Sequence, residues 1–163
     1  MSELLDFRQR ACAYVLRHRP GRTAPEVLVI VHPEAPEAGV QVPGGGALAH
    51  ETAGEAAIRE AVEETGVADP RFGEVLGSTL MRATLGAVGF QVTTYSWLHT
   101  VEERKVWEHS VVSGDGDDGL RLRCEFRPVA EAAIDWGMDR FLPSAVRRFE
   151  AMRAPGVGAP ASR

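Results

Sequence analysis

Between Thr52 and Gly66 the chain reads TAGEAAIREAVEETG, a helix pattern whose polar face carries almost a single sign of charge. Thr52 and Glu55 form a capping box: the Thr52 hydroxyl accepts the Glu55 N–H while the Glu55 carboxylate reaches back to the Thr52 N–H. Gly66 supplies a stop. At about 100° per residue, Glu60, Glu63 and Glu64 fall within an arc of about 100°, and Ile58, Ala61, Val62 and Thr65 take the opposite side. The small Ala53, Ala57 and Ala61 let the helix axis lie close to a sheet. Like charges three or four residues apart cost about 0.2–0.5 kcal/mol per pair, and Arg59 relieves only part of this. A sheet must therefore cover one side of the helix, and either solvent or a bound cation must answer the other. Carboxylate oxygens suit Mg²⁺ or Mn²⁺, with Glu60 and Glu64 aimed at one point and Glu63 beside them.

The flanking segments supply a sheet. Arg8–Arg17, with Ala11, Ala13 and Val15, reads as a half-buried strand. Glu26–Val31 (EVLVIV) is an apolar, β-branched run, as in a strand buried on both faces. His18–Pro25 and His32–Gly39 carry loop chemistry, and Val40–Pro43 is a short extended segment ending at Gly44-Gly45-Gly46. Further strands are expected near Phe72–Met81, Gly89–Val101, Val106–Val112 and Leu120–Val129, the last two joined as a hairpin by the turn Ser113–Gly119. Met138–Met152 reads as a closing helix, with Trp136 beside it as a core residue. Residues 154–163, rich in Pro, Gly and Ala, are expected to be a disordered tail. One α/β domain over residues 1–153 follows, a mixed β-sheet between helices in an α/β/α sandwich.

A chain of 163 residues, 44% apolar and 25% charged, is long enough to bury a core without staples. Its net charge of −5, with no basic run, argues against a nucleic-acid polymer or an anionic membrane as partner. No apolar run approaches the ~18 residues of a membrane span, and MSELLDFRQR lacks a signal peptide's apolar stretch, so a cytoplasmic protein is expected. Cys12 and Cys124 lie in strand-like segments and are expected as buried free thiols.

Gly45, five residues, Glu51, seven residues, Arg59-Glu60, then Glu63-Glu64 and Gly66 resembles the Nudix box of the Nudix hydrolases. All seven fixed positions match. Ala61 departs, standing where the family usually has Ile, Leu or Val, and is read as a closer helix–sheet contact. The resemblance implies a Nudix-type fold and a divalent-metal-dependent hydrolase of a nucleoside diphosphate linked to another group. It implies Glu60, Glu63 and Glu64 as ligands of Mg²⁺ or Mn²⁺, the Gly45 carbonyl as a further ligand, and a Glu51–Arg59 ion pair fixing the loop against the helix. The general base in this family is a box glutamate or an acidic residue on a distant loop. Outside the box the candidates are Glu102, Glu103, Glu108 and Asp115. Glu108 is preferred, since Trp107-Glu108-His109 sets an aromatic, a carboxylate and an imidazole together.

Substrate class is signalled outside the box. Residues 71–94 hold neither the proline of ADP-ribose pyrophosphatases nor the tyrosine of dinucleoside polyphosphate hydrolases. The NADH-type and coenzyme A signatures are also missing. This moves weight toward a nucleoside triphosphate or related nucleotide, with nucleotide sugars and dinucleoside polyphosphates as alternatives. Phe90, Tyr95, Trp97 and Trp107 are candidates to stack on a base; Tyr95 and Trp97 share a strand face and could instead pack under a helix. The contrasting reading is a regulatory module that binds a nucleotide without cleaving it. Such modules usually lack box glutamates, and this box is intact. A monomer or a homodimer is compatible with the sequence.

Overall fold

Strand β1 (Asp6–Arg17) runs parallel to β5 (Gly89–His99) along nearly its whole length, from Asp6↔Gly89 to Leu16↔His99, yet meets β2 (Glu26–Val31) only at Leu16↔Val27 and Arg17↔Glu26. The sheet therefore forks. These features come from a computed structural model that describes residues 6–82, 89–114 and 116–155. Beyond the fork, β3 (Gly44–Gly46) takes the vacated edge of β1, pairing Ala11 with Gly45. The chain just before it is bound to both arms: Gln41 exchanges two backbone hydrogen bonds with Ile30 at 2.8 and 3.0 Å, and the Ala13 N–H reaches the Pro43 carbonyl at 2.9 Å. The remaining strands β4 (Arg71–Arg82), β6 (Val106–Ser110) and β7 (Arg121–Pro128) complete a mixed sheet in the order β4-β5-β1-β2-β7-β6.

Two helices cover opposite faces. Helix α1 (Ala53–Thr65) lies with Ala11, Ala13, Val15, Leu28 and Phe126 in one core, and α2 (Leu142–Arg153) with Cys12, Tyr14, Leu16, Val29, Tyr95 and Trp97 in the other. The α/β/α sandwich expected from the sequence is present. Because both faces are covered, β1 is buried throughout Ala11–Arg17, not half-buried as its mixed composition suggested. Cys12 and Cys124 are buried free thiols, and burial pushes them up to about 11 and about 12. Of the expected tail, residues 156–163 lie outside the described residues.

Among the differences from the sequence reading are two boundaries and one helix face. The closing helix begins at Leu142 with a proline in its first turn, where proline is well tolerated, and residues 138–141 form a turn. Strand β6 stops at Ser110 because the Val112 N–H turns to the Glu63 carbonyl of α1 at 3.1 Å. Val62, placed with the sheet-facing side of α1, is exposed: Ala56, Ala57 and Ala61 form so narrow a contact stripe that the next residue round the helix is already outside it. Among the described residues no helix is long and apolar enough to cross a membrane.

Ala61 is fully buried against the sheet. Ala61→Ile, although it restores the residue type usual at that point of the box pattern, is expected to overpack this contact and cost about 1–3 kcal/mol. Urea unfolding would measure it, and an equal or higher stability would refute close packing at Ala61.

Candidate active site

The helix that carries the glutamates is fixed at both ends. At its start the capping box is closed in both directions, Glu55 N–H to the Thr52 hydroxyl at 3.2 Å and Thr52 N–H to the Glu55 carboxylate at 2.8 Å. At its end Gly66 is left-handed, with φ of 61°. The last carbonyls are then claimed by the chain around β6. Trp107 Nε1–H donates to Thr65 O at 2.6 Å, Arg104 to Gly66 O at 2.9 Å, and His109 Nε2 lies 3.1 Å from Glu63 O. Groups normally left over at a helix terminus are thus satisfied, and the rotation of α1 is set.

The acidic face is organised by one guanidinium. Arg59 Nε donates to both Glu51 oxygens at 3.2 and 2.9 Å, one terminal nitrogen reaches Glu60 at 2.8 Å and Glu63 at 3.1 Å, and the other reaches the Gly46 carbonyl at 2.9 Å. Hydrogen bonding to Arg59 holds the Glu51 carboxyl below the usual carboxylate range. The expected Glu51–Arg59 pair is present, and it ties the loop to the helix. Glu60 is buried against Gly45: a Cβ there would stand 2.5 Å from the Glu60 carboxylate, which would have to move aside. Glu64 accepts the Gly44 N–H at 2.9 Å. Burial pushes its carboxyl up to about 8, with the Glu60 and Asp117 charges adding to the rise and the Gly44 hydrogen bond and Arg10 opposing it.

Glu60, Glu64 and the Gly44–Gly46 backbone line a cleft of about 410 Å³ at the fork, together with Arg10, His32, Gln41 and Asp117. A second groove of about 450 Å³ adjoins it on the α2 side, lined by Thr79, Met81, Gln91, Thr93, Tyr95, Trp136 and Met138. Arg10, Ala38 and Gln41 line both, so the two are neighbours beside β3.

Several sequence candidates stand elsewhere. Glu108 points outward from β6 and pairs with Arg121 at the surface, because alternation along the strand turns Trp107 and His109 inward and the residue between them out. Glu102 is a buried structural carboxylate: Arg104 and the Ala68 N–H hold it down at about 2, far too acidic for a base. Glu103 lies with the loop near Arg19 and Pro20, away from the cleft. Asp115 lies outside the described residues. Trp97 is buried against Phe149, and Trp107 packs on Phe126 and caps α1, so neither offers a free ring face. Tyr95 is buried between Tyr14 and Phe141 and touches only the floor of the groove. Phe90 stacks on Phe7. Trp136, expected in the core, is 71% exposed. Arg10, Gln41 and Asp117 were missed. Asp117 had been visible only as part of a turn, and Arg10 and Gln41 only as polar residues in extended segments.

The NUDIX domain family matches residues 7–145. The chain belongs to the Nudix hydrolase family. Among solved structures it resembles the E. coli dihydroneopterin triphosphate pyrophosphohydrolase, at 15% identity and a TM-score of 0.59, covering 86% of this chain and 93% of that one. It also resembles a C. elegans Ap4A hydrolase, at 18% identity and a TM-score of 0.54, covering 91% and 100%. A mutT/nudix family protein from Listeria innocua aligns at 17% identity and a TM-score of 0.51, covering 94% and 100%. At these identities the likeness is one of fold. No curated protein matches the chain.

The proton on Glu64 makes stability depend on pH. An unfolded glutamate titrates near 4.5 and folded Glu64 near 8. The stabilisation is therefore fully present below pH 4.5 and is lost as pH rises to 8. In chelator, the melting temperature of the wild type relative to Glu64→Gln is expected to fall by about 3 °C per pH unit across this range. Parallel profiles would show that Glu64 is already ionised in the folded chain.

Proposed function

We propose that this Nudix hydrolase cleaves the pyrophosphate link of a nucleotide, a nucleoside triphosphate or a related compound, with Mg²⁺ or Mn²⁺ held in the cleft. The observation that carries this reading is the pair of carboxyl groups, buried Glu60 and half-buried Glu64, packed against the backbone of Gly44 and Gly45 at the fork. Buried carboxylates are unfavourable unless paired, and hard oxygen donors suit a hard divalent cation. Among the described residues no three acidic, histidine or cysteine side chains already converge on one spot. Glu60 and Glu63 instead share Arg59, and Glu64 holds the Gly44 amide. A cation therefore fits by replacing a proton on Glu64 and drawing Glu60 and Glu63 round, with the Gly45 carbonyl as a further donor.

When bound, such an ion neutralises charge on the phosphate oxygens and makes a coordinated water easier to deprotonate. The chain's own groups do the rest. Glu51 and Arg59 hold the glycine loop at a fixed distance from α1. Asp117, on the loop before β7, replaces Glu108 as the acidic residue outside the box best placed to accept a proton from water, since it lines the cleft and its charge reaches Glu64. Arg10, where cleft and groove meet, is placed to steady a phosphate passing between them.

The test is phosphate or pyrophosphate release from a panel of canonical and oxidised NTPs and dNTPs, ADP-ribose, nucleotide sugars and dinucleoside polyphosphates, with Mg²⁺ or Mn²⁺ and with chelator. Cation-dependent turnover is expected, reduced on the order of 10²-fold or more in Glu64→Gln. Asp117→Asn should lose about 10²–10⁴-fold in kcat, while Glu108→Gln stays at the wild-type rate. The reverse pattern would return the role to Glu108. Binding of a panel member with no turnover under any cation would favour the regulatory-module reading.

A further inference from the structure

Trp136 combines two features that folding alone does not explain. Its ring is the most exposed aromatic side chain among the described residues, and its backbone is left-handed, with φ of 62°. A bulky residue in that region is strained by about 1–3 kcal/mol, and an exposed ring recovers little of this through burial. Glycine would remove the strain.

The surroundings nevertheless hold Trp136 in place. Its indole N–H donates to the Ala38 carbonyl at 2.7 Å. Asp135 exchanges two hydrogen bonds with Val40, its N–H to Val40 O at 2.9 Å and the Val40 N–H to its carboxylate at 2.8 Å. Gly39, with φ of 74°, lets the two loops nest: a Cβ there would lie 2.7 Å from the Asp135 carboxylate and 3.0 Å from the indole nitrogen. On the far side of the turn, the Tyr14 hydroxyl accepts the Phe141 N–H at 3.2 Å and donates to the Met138 carbonyl. The ring is thus fixed before any ligand arrives, on the wall of the groove that also holds Met81 and Gln91 and that shares Arg10 with the neighbouring carboxylate cleft.

We propose that Trp136 is the stacking platform for the planar heterocycle of the substrate and is the residue that sets how tightly the nucleoside half binds. The proposal rests on the hydrolase reading above for the placement of the phosphates in the cleft. A ring held rigidly in advance pays little ordering entropy when a base lies against it. Its π-face accepts any base, and Gln91, Thr93, Thr79 and Gln41 are the neutral polar groups of the groove available to distinguish base edges. Arg10 then marks where the nucleoside ends and the phosphates begin.

The chain has three tryptophans, and Trp97 and Trp107 are packed in the two cores, so ligand-dependent emission reports on Trp136. AMP, GMP, CMP and UMP would be titrated in chelator and followed by intrinsic fluorescence, with calorimetry in parallel. At least one is expected to quench the wild type. Its calorimetric affinity should fall roughly 10-fold in Trp136→Ala and recover in Trp136→Phe, which keeps a ring but lacks the N–H. The same order should appear in KM, with kcat little changed. Absence of quenching by all four nucleotides, or equal affinity in Trp136→Ala, would overturn the proposal. Failure of the Phe variant to recover would also overturn it, assigning the indole N–H a loop-bracing role instead. Quenching without turnover by the wild type would leave the platform standing and remove the hydrolase reading; turnover with an unchanged KM in Trp136→Ala would do the opposite.

Discussion

The architecture depends on β1 and β2 staying paired for only two residues. Arg17 fixes where they meet. Fully buried, it donates to Glu26 across the strands at 2.8 Å, reaches the carbonyls of Glu102 and Arg104 at 2.7 Å each, and lies over the Phe126 ring. Such a cation is tolerable inside a core only because its hydrogen bonds and its counter-charge are supplied together. Past this clamp the strands diverge, and the segment 41–46 fills the gap by bonding to both. At Gly44 the fit leaves no room for a side chain: a Cβ would meet the Cys12 sulfur at 2.5 Å and the Ala11 carbonyl at 2.8 Å. Gly44 is therefore a packing requirement of the fork.

The charges follow from the same geometry. A helix laid beneath the fork turns its carboxylates toward a backbone with few neutralising groups. Arg59 answers Glu51, Glu60 and Glu63 at once, whereas Glu64, reaching furthest under the glycine strand, keeps an amide hydrogen bond and a proton. This unequal division leaves Glu64, pushed up to about 8 by burial, as the box carboxyl group that holds its proton most tightly against the pull of Arg10 and the Gly44 amide.

Much of this was legible in the sequence because it rests on local rules. The capping box, the Gly66 stop, the strand Glu26–Val31 and the hairpin between β6 and β7 each depend on neighbouring residues, and each formed as expected. The box spacing likewise brought Glu51 and Arg59 together. What escaped were facts of tertiary placement. Whether Glu108 faces in or out depends on which residues of β6 meet α1, and Trp107 won that side by capping Thr65. Tyr95 and Trp97 shared a face as expected, but α2 covers that face. Trp136 looked like core because large aromatics near an apolar helix usually are, and nothing local announces its left-handed backbone. Asp117 joined the cleft only once the β6–β7 turn was folded back against the fork.

Strand β6 is the short, outermost strand of its half of the sheet, the position where proteins commonly accept insertions and substitutions most freely. Here its two sides have opposite histories available to them. The outward side carries Glu108, paired at the surface with Arg121 of β7, and can drift. The inward side, through Trp107, His109 and the nearby Arg104, grips the end of the helix that bears the glutamates. Variation along these five residues should therefore alternate, permissive and restrictive, with the two-residue period of the strand itself.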